Sequence, residues 1–469
     1  MSTASSAVDN RNLPKHSRYQ GAYGRFDWYW GLGVEHETYI MTSRNHDISG
    51  FTDQNMKPER YSVSYYKNYR NAALMPALQK IIADRDLHVP ILMNNHSFVD
   101  CDLSGEHRTT YEREPKPNPL FSGESVYEYL CRHSDWLRSQ KDRAFTWDGD
   151  TVEFMTQDFY RATVDRVLAE LNTVEWRFIE ELRRVPAIGI LATYGPFTLA
   201  SPRNEPFATY LTNPSAVSMF NNGTFHVNAT LPTRLGFNRE PMWRADFIEK
   251  HRRLARLVQW MEPLWIAVFG SGDPLASVGT EFAAGSQRLA VSRYIGVGTF
   301  DTVLMPTGKI LQIKKAEAGP LPWYDVSGSA YAPLGIIGLD INFNKHWAHG
   351  LELRIFDQMS MASLRTVLEH VVLLMDLALS DEPVADPRFV EEWQKAARAA
   401  IFEGPKWVVR PEQWAAFCKI LGVVVEPLIP QEPATVLSML MEAVKNQKRG
   451  LCWHLMVDGG RSQLGRPCC

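Results

Sequence analysis

Four segments of the chain alternate apolar side chains with Glu, His, Asn or Arg, and this pattern constrains the fold more than any other feature. They are residues 31–41, 147–156, 224–231 and 350–356. Alternation with a period of two is typical of a β-strand, whose successive side chains point to opposite faces. Each predicted strand therefore has one apolar face and one polar face.

The helices expected between these strands indicate an α+β fold. Apolar stripes at helical spacing predict helices over residues 164–182, 246–269 and 364–375. An antiparallel sheet commonly packs helices against one face and leaves the other face open. We therefore expect a largely antiparallel sheet with helices on its apolar face and a functional site on its polar face. A further strand is expected at 337–343.

The chain of 469 residues is long enough for two or three domains, or for one large unit with insertions. We expect a disordered tail over 1–24, a main domain over 25–380 and a mostly helical extension over 381–469. Residues 43–147 are expected to form an insertion between two strands. Within it the patterns predict a helix near 71–84, an apolar run at 89–93, a proline-bearing loop at 112–119 and a helix at 125–138.

The overall charge of −3 gives no long-range attraction to nucleic acid or to anionic membranes. The basic run at 250–253 is expected to be the solvated face of a helix.

No apolar run approaches the roughly 18 residues of a membrane span, so we expect a cytoplasmic chain without a transmembrane segment. The six cysteines, none in a Cys-x-x-Cys pair, indicate reduced thiols. The terminal pair Cys468–Cys469 is either a free tail or a lipid-attachment site.

Glu35 and Glu37 are candidate metal ligands, because they share the polar face of the first predicted strand. Residues two apart on a strand are separated by roughly 7 Å. Carboxylates that approached to about 4 Å would repel by up to about 4 kcal/mol at an effective dielectric constant of about 20. A hard divalent cation such as Mg²⁺ relieves that repulsion. The alternative is an exposed edge strand with two solvated acids.

The segment Gly33–Glu37 resembles the Gly-x-Glu-x-Glu motif of the glutamate–cysteine ligases and related carboxylate–amine ligases, in the glutamine synthetase superfamily. Four further matches follow in the family's order. They are Asp148–Thr156, Phe225–Asn228, Glu352–Asp357, and the weaker pair of Ser286–Arg288 and Tyr294. The resemblance extends over residues 28–380. The gap between the first two strands is longer than in the family, and no match to a cysteine-selecting pocket is found.

The resemblance implies a glutamine synthetase-like catalytic fold, with a curved sheet and a Mg-ATP and substrate site on its polar face. It implies an ATP-dependent reaction that joins an acid, glutamate above all, to an amine such as cysteine, as in glutathione biosynthesis. Mg²⁺ is the implied metal, with Mn²⁺ as a substitute, and ATP is a co-substrate. The implied metal ligands are Glu35, Glu37, Glu153, His226 and Glu352.

The family's motifs also imply roles for residues beyond the metal ligands. Glu352 and Arg354 are the catalytic pair, and Arg354, with His226 and Asn228, contacts the nucleotide. The residues implied in substrate binding are Arg288, Asp148, Asp150 and Tyr294. Each role has a structural alternative: Glu153 as a surface residue, His226 as a hydrogen-bonded structural histidine, and Glu352 with Arg354 as an exposed pair worth about 0–1 kcal/mol. The acids Glu106, Glu112 and Glu114 are a second set, for which a solvated loop is the expected setting.

Two other functions are compatible with these residues. One is a ligase of the same superfamily that joins a different acid and amine, such as an amino acid, a peptide or a polyamine. The other is a metal-binding or nucleotide-sensing protein without turnover. The pair Glu352 and Arg354 argues for the enzyme, because a protein that only binds a nucleotide has no need of an arginine that stabilises phosphoryl transfer. The oligomeric state is not determined by the sequence.

Overall fold

A computed structural model defines the fold over most of the predicted strands and helices. The residues it describes are 28–47, 80, 88–93, 126–148, 151–157, 160–184, 195–205, 207–210, 213–218, 222–234, 242–277, 279, 282–287, 289, 309–314, 336–342, 351–387, 390–426 and 431–459. The predicted N-terminal tail, the 71–84 helix apart from residue 80, the 112–119 loop with the acids near it, and the terminal cysteines lie outside these ranges.

The described strands form two sheets. They are β1 (Tyr29–Thr38), β2 (Ile40–Asp47), β3 (His88–Met93), β4 (Phe145–Asp148), β5 (Thr151–Met155), β6 (Phe197–Leu199), β7 (Ala208–Tyr210), β8 (Asn213–Ser218), β9 (Gly223–Thr233), β10 (Lys309–Lys314), β11 (Ile336–Asn342) and β12 (Leu351–Asp357). The seven-stranded sheet has the order β10-β11-β12-β9-β1-β5-β4, and its neighbouring strands pair antiparallel. The five-stranded sheet, β6-β2-β3-β7-β8, is mixed, because β3 and β7 are parallel.

The helices are concentrated in the second half of the described chain. They are α1 (Val126–His133), α2 (Asp135–Gln140), α3 (Val164–Arg184), α4 (Arg244–Phe269), α5 (Met361–Leu379), α6 (Glu391–Phe402), α7 (Pro411–Leu421), α8 (Pro433–Lys448) and α9 (Leu451–Met456). The single helix predicted at 125–138 is therefore two, and Ser134 caps the second by accepting the N–H of Leu137 at 3.2 Å. The predicted α+β class and its largely antiparallel sheet are confirmed at this level.

The segment 31–41, predicted as one strand, is divided between the two sheets. Tyr39 separates β1 from β2, which pairs with β3 and β6 instead of with β5 and β9. Ile40 still faces the main core, but as part of the second sheet. Alternation alone could not reveal this break, because the side-chain pattern continues through it.

Apolar side chains from the seven-stranded sheet and from the helices form one continuous core. Val34, Val227 and Leu353 contribute from three adjacent strands, and the predicted stripes of α3, α4 and α5 pack against them. Helix α3 is buried along one face, whereas α4 and α5 are buried on all sides over residues 257–267 and 370–376. Hydrophobic burial therefore fixes both their formation and their position. The polar face of the same strands is buried too, contrary to the expectation of an open face: His226 and Glu352 are 0% and 1% exposed.

The C-terminal helices join the same core. Pro263 lies inside α4, where a proline removes the hydrogen bond to the carbonyl four residues earlier. That carbonyl, of Gln259, instead accepts the indole N–H of Trp393 on α6 at 3.0 Å. Helices α6 to α9 are therefore anchored to α4 and α5, while the division into domains at residues 24 and 380 stays a prediction.

The basic run at 250–253 is not wholly a solvated face, so that expectation is wrong for His251. His251 is fully buried: its Nδ1 donates to the carbonyl of Phe247 at 2.8 Å and its Nε2 accepts the backbone N–H of Leu231 at 3.1 Å. The histidine thus ties α4 to β9. Among the described residues, no helix has the length and apolarity to cross a bilayer.

Candidate active site

A row of polar side chains crosses four adjacent strands of the seven-stranded sheet. The register pairs Glu35 with His226, Glu37 with Glu153, and Glu352 with Asn228. Directly paired residues of antiparallel strands point to the same face. The sheet therefore brings together, on one face, acids and a histidine that are up to 317 positions apart in the chain (residues 35 and 352).

His226 is at the centre of this row. Its Nδ1 lies 3.3 Å from Oε2 of Glu35 and 3.6 Å from Oε1 of Glu352, and its Nε2 lies 3.5 Å from Oε1 of Glu37. The imidazole is thus in contact with three carboxylates from two neighbouring strands. We call Glu35, Glu37, His226, Glu352 and Arg354 the acid–histidine cluster.

Arg354 supplies positive charge to the acid–histidine cluster. Its guanidinium nitrogens lie 3.6 Å from Oε1 of Glu352 and 3.9 Å from Oε1 of Glu37. The register between β12 and β9 shifts by one residue between Leu353 and Phe356, which is a β-bulge beside Arg354. A bulge changes the direction of the side chains within it and is common next to functional sites.

His36 shows how strictly alternation sorts the side chains of β1. It lies between Glu35 and Glu37 in the sequence but faces the apolar side, stacked on Phe225 with ring centroids 4.1 Å apart. Its Nδ1 is 2.6 Å from Oε1 of Glu175 on α3. His36 therefore joins the sheet to a helix and lies outside the acid–histidine cluster.

The donor set of the acid–histidine cluster fits a divalent cation. One ligand atom each from Glu35, His226 and Glu352 lies within 4.8 Å of the others, and all three residues are buried. Buried carboxylates are rare without a cation or hydrogen-bond donors to offset their charge. The side-chain oxygen Oδ1 of Asn228, on the same face, is buried without a hydrogen-bond partner among the described residues. Carboxylate and amide oxygens suit Mg²⁺ and Mn²⁺, and the imidazole favours Mn²⁺ of the two.

Thr156 holds the edge of the site in place. Its hydroxyl accepts the N–H of Val34 at 3.0 Å and lies 3.3 Å from the carbonyl oxygen of the same residue. Thr156 is the last residue of the second motif, so this motif contributes both Glu153, beside Glu37, and the contact that fixes the backbone next to Glu35.

Of the predicted substrate-binding residues, only the backbone of Asp148 lies within the described chain. Asp148 is the last residue of β4, which is separated from β1 by β5. Asp150, Arg288 and Tyr294 lie outside the described residues. Their roles stay predictions.

A buried polar network beside the site was not foreseen from the sequence. Asp357, at the end of β12, accepts the N–H of Ser271 at 2.8 Å through Oδ2. Asn204 donates to the carbonyls of Ser271 and Gly272 and to Oε1 of Gln287, at 3.1 to 3.2 Å. The short glycine-bearing segments 270–273 and 284–287 are the signal that could have indicated it, because closely packed backbones require glycine.

The segment 283–287, which precedes Arg288, is held between two other backbones. Gly285 donates to the carbonyl of Ile401 at 2.8 Å, Gln287 donates to that of Ser271 at 3.0 Å, and Ala283 accepts the N–H of Asp273 at 2.7 Å. The C-terminal helical part thus supports the chain at a motif that the sequence assigns to substrate binding.

The chain was compared with known proteins. No protein-family model matches it. It is 34% identical over 419 residues to a protein of Acanthamoeba polyphaga mimivirus named "Uncharacterized protein R704", and the match covers 86% of this chain and 73% of that protein. A bifunctional glutathione synthetase from Pasteurella multocida is similar at a TM-score of 0.36 and 10% identity, over 93% of this chain and 49% of that one. The chain thus spans about half the length of that synthetase, and a likeness at this TM-score does not establish a shared fold or activity.

Proposed function

The chain belongs to the same family as protein R704 of Acanthamoeba polyphaga mimivirus, and we propose that it is an ATP-dependent carboxylate–amine ligase. The reaction is formation of an amide through an acyl phosphate, with glutamate as the preferred acid and cysteine or another amine as the acceptor. The choice of substrates comes from the resemblance of five motifs to the glutamate–cysteine ligases. The choice of reaction comes from the acid–histidine cluster.

One observation carries the proposal: three buried ligand atoms from three adjacent strands lie within 4.8 Å of one another, next to an arginine. Glu35, His226 and Glu352 would hold a divalent cation, with Glu37 and Glu153 in line on the same face. When bound, Mg²⁺ or Mn²⁺ neutralises phosphate oxygens and orients them for in-line transfer. Carboxylates buried on one face of a sheet are stable when cations or hydrogen-bond donors offset their charge, and a bound metal would contribute to that.

Arg354 would act on the transferring phosphoryl group. Moving the γ-phosphoryl of ATP to a carboxylate oxygen of the acid yields ADP and an acyl phosphate, and the approach of two anions must be offset by positive charge. The amine then attacks the acyl carbon, phosphate leaves, and the amine nitrogen loses a proton. A guanidinium 3.6 Å from Glu352 is held by that carboxylate, so Glu352 positions Arg354 as well as contributing to the metal set.

The predicted substrate contacts complete the proposal. Arg288 would pair with the α-carboxylate of the acid as a planar fork, with Tyr294 nearby. Asp148 or Asp150 would receive the amine. The buried 283–287 segment supports this assignment, because its backbone is hydrogen-bonded to two other segments. A residue that orients a substrate has to be held in a fixed position.

The test measures release of ADP and phosphate with ATP, Mg²⁺ or Mn²⁺, glutamate and a panel of amines, with the amide identified by mass spectrometry. Glu352→Gln and Arg354→Met are expected to lower kcat by about 10²- to 10³-fold. Glu262→Gln is the matched control, because Glu262 is as buried as Glu352 but lies on α4, outside the acid–histidine cluster. The control variant should retain full activity.

Calorimetric titration with Mn²⁺ provides a second readout that does not depend on turnover. Glu35→Gln and Glu352→Gln should abolish binding, and Glu262→Gln should leave it intact. If Glu352→Gln and Arg354→Met both made amide as fast as the parent, the assigned site would be wrong. Amide formation only with a peptide or polyamine would identify a ligase of the same superfamily with different substrates. Binding of ATP and metal without ATP hydrolysis in the presence of any of the amines would identify a nucleotide-binding protein without turnover.

A further inference from the structure

Asn204 is hydrogen-bonded to two parts of the molecule at once. Its Oδ1 accepts the backbone N–H of Asn222, directly before β9, at 3.0 Å. Its Nδ2 lies 3.2 Å from the carbonyl oxygen of Ser271, 3.1 Å from that of Gly272 and 3.2 Å from Oε1 of Gln287. The orientation of the amide is fixed, because the reversed amide would point its oxygen at three other oxygens. Asn204 is therefore a bridge between the start of β9 and the 283–287 segment.

On one side, the bridge leads to an acid of the acid–histidine cluster. The carbonyl of Asn222 accepts the hydroxyl of Thr38 at 3.4 Å, and the next residue, Gly223, pairs with Thr38 at the end of β1. A Cβ on Gly223 would overlap the carbonyl oxygen of Glu37, so the two backbones are in direct contact. The backbone of Glu37 thus packs against the residue that follows the one bonded to Asn204.

On the other side, the bridge leads to the motif that the sequence assigns to substrate binding. Gln287 is fully buried, and its N–H donates at 3.0 Å to the carbonyl of Ser271, which also accepts from Asn204. A Cβ on Gly272 would overlap the carbonyl oxygen of Ala284, so the segments 270–273 and 283–287 are closely packed. The amide of Asn204 therefore bonds to both segments where they meet, directly before Arg288 in the chain.

Asp357 ties the same place to the strand that carries Glu352 and Arg354. It is the last residue of β12, it pairs with Thr224 on β9, and its Oδ2 accepts the N–H of Ser271 at 2.8 Å. Asp357 thus holds the N–H of Ser271 and Asn204 holds its carbonyl. Asn204 adds the contact with the Gln287 side chain.

We propose that Asn204 is a positioning residue for the acid substrate. It fixes the 283–287 segment, and with it the point where Arg288 leaves this segment, relative to the acid–histidine cluster. This role rests on the proposed ligase activity, in which the acid must lie in line with the phosphoryl donor. Reacting atoms have to approach to about 3–3.5 Å, and a displacement of about 1 Å can lower the rate about 10²-fold. Asn204 acts through Asn222 and Gln287 and takes no part in the chemistry.

The first test is the Asn204→Asp variant. Aspartate keeps an acceptor for the N–H of Asn222 but replaces the NH₂ group by an oxygen that faces three other oxygens. We expect kcat/KM for glutamate to fall about 10- to 100-fold, while the KM for ATP and the calorimetric affinity for Mn²⁺ stay unchanged. In the background of Arg288→Met, Asn204→Asp should cause no further loss, because residues that act through one another are not additive.

Gln413→Ala is the control for a general loss of stability. Gln413 is 3% exposed, and its Oε1 accepts the N–H of Arg410 at 2.9 Å at the start of α7. Removing this buried amide should lower the midpoint of denaturant unfolding but leave kcat/KM for glutamate unchanged. If Asn204→Asp raised the KM for ATP and weakened Mn²⁺ binding as much as it lowered kcat/KM for glutamate, its effect would be general and the positioning role would be wrong. A further loss in the Arg288→Met background would also overturn it.

Hydrogen exchange tests the bridge without any turnover. In Asn204→Asp the amide of Gln287 should exchange about tenfold faster or more. The amide of Val34, which is bonded to Thr156 at another edge of the site, should exchange at the rate of the parent. A parent that makes no amide from any acid and amine would refute the ligase and the role in substrate orientation together. Unchanged exchange of Gln287 would refute the bridge alone, even in an active ligase.

Discussion

Asp376 on α5 holds the N-terminus of α9, and replacing it with asparagine should loosen the end of the described chain. Its Oδ2 accepts the N–H groups of Gly450 at 2.8 Å and Trp453 at 3.0 Å, and its Oδ1 accepts that of Cys452 at 2.7 Å. The first N–H groups of a helix have no partner within the helix. Here a carboxylate from another helix accepts from two of them, Cys452 and Trp453, and from Gly450, which precedes the helix.

The expected loss follows from this geometry. Asparagine has one carbonyl oxygen, so it can keep the two bonds to Gly450 and Trp453 but must turn its NH₂ group toward the N–H of Cys452. One charge-assisted hydrogen bond is lost, and two donors face each other, which would cost about 2–3 kcal/mol. Burial raises the pKa of Asp376 against the lowering effect of the three backbone donors. Asparagine does not have the cost of burying a charge, and this offsets part of the loss. We therefore expect Asp376→Asn to lower the free energy of unfolding by about 1–2 kcal/mol.

Denaturant unfolding measures the global change, and hydrogen exchange of the three amides measures the local one. Protection should fall for Gly450, Cys452 and Trp453 in Asp376→Asn. Asp381→Asn is the control, since that acid is exposed just beyond the same helix, and it should change unfolding by less than about 0.5 kcal/mol. Unchanged protection of the three amides in Asp376→Asn would refute the reasoning.

Two further predictions concern stability. Burial raises the pKa of Glu262 well above its ordinary value of 4.5, so the folded chain keeps a proton that the unfolded chain releases. Stability should therefore fall as pH rises above 4.5, by up to about 1.4 kcal/mol per pH unit until the raised pKa is reached, and Glu262→Gln should remove that slope in urea titrations at several pH values. An identical slope in the variant would contradict this. In Gly285→Ala, the new Cβ would overlap the carbonyl oxygen of Ala400, so we expect a loss of about 3 kcal/mol or more, measured by denaturant unfolding. Gly422→Ala, whose Cβ would meet only the Lys448 side chain at a φ of 61°, should lose about 1 kcal/mol, and equal losses in the two variants would count against the close-packing argument.

The side-chain pattern was sufficient to assign faces to the strands that carry the cluster. Glu35, His226 and Glu352 lie opposite their apolar neighbours because a strand alternates strictly, and burial of the apolar side leaves only one register. Their mutual proximity also depends on which strands are neighbours. The order β12-β9-β1-β5 follows from pairings that are distant in the sequence, and no local signal specifies them.

Other features depend on tertiary contacts and could not be deduced. His251 lies within a basic run, yet its ring is buried because both nitrogens find backbone partners on β9 and α4. The carbonyl of Gln259 receives no helical hydrogen bond, because Pro263 has no N–H, and it accepts the indole N–H of Trp393 instead. In each case the deciding partner comes from a different element, so composition and periodicity contain no information about it.

The break at Tyr39 has a mechanical consequence. A single residue separates the end of β1 from the start of β2, so one continuous stretch of backbone belongs to both sheets. Glu37 is two positions from this joint. The backbone at Glu37 is therefore positioned from two directions, by the pairing of β1 with β5 and β9 and, three residues further on, by the pairing of β2 with β3 and β6.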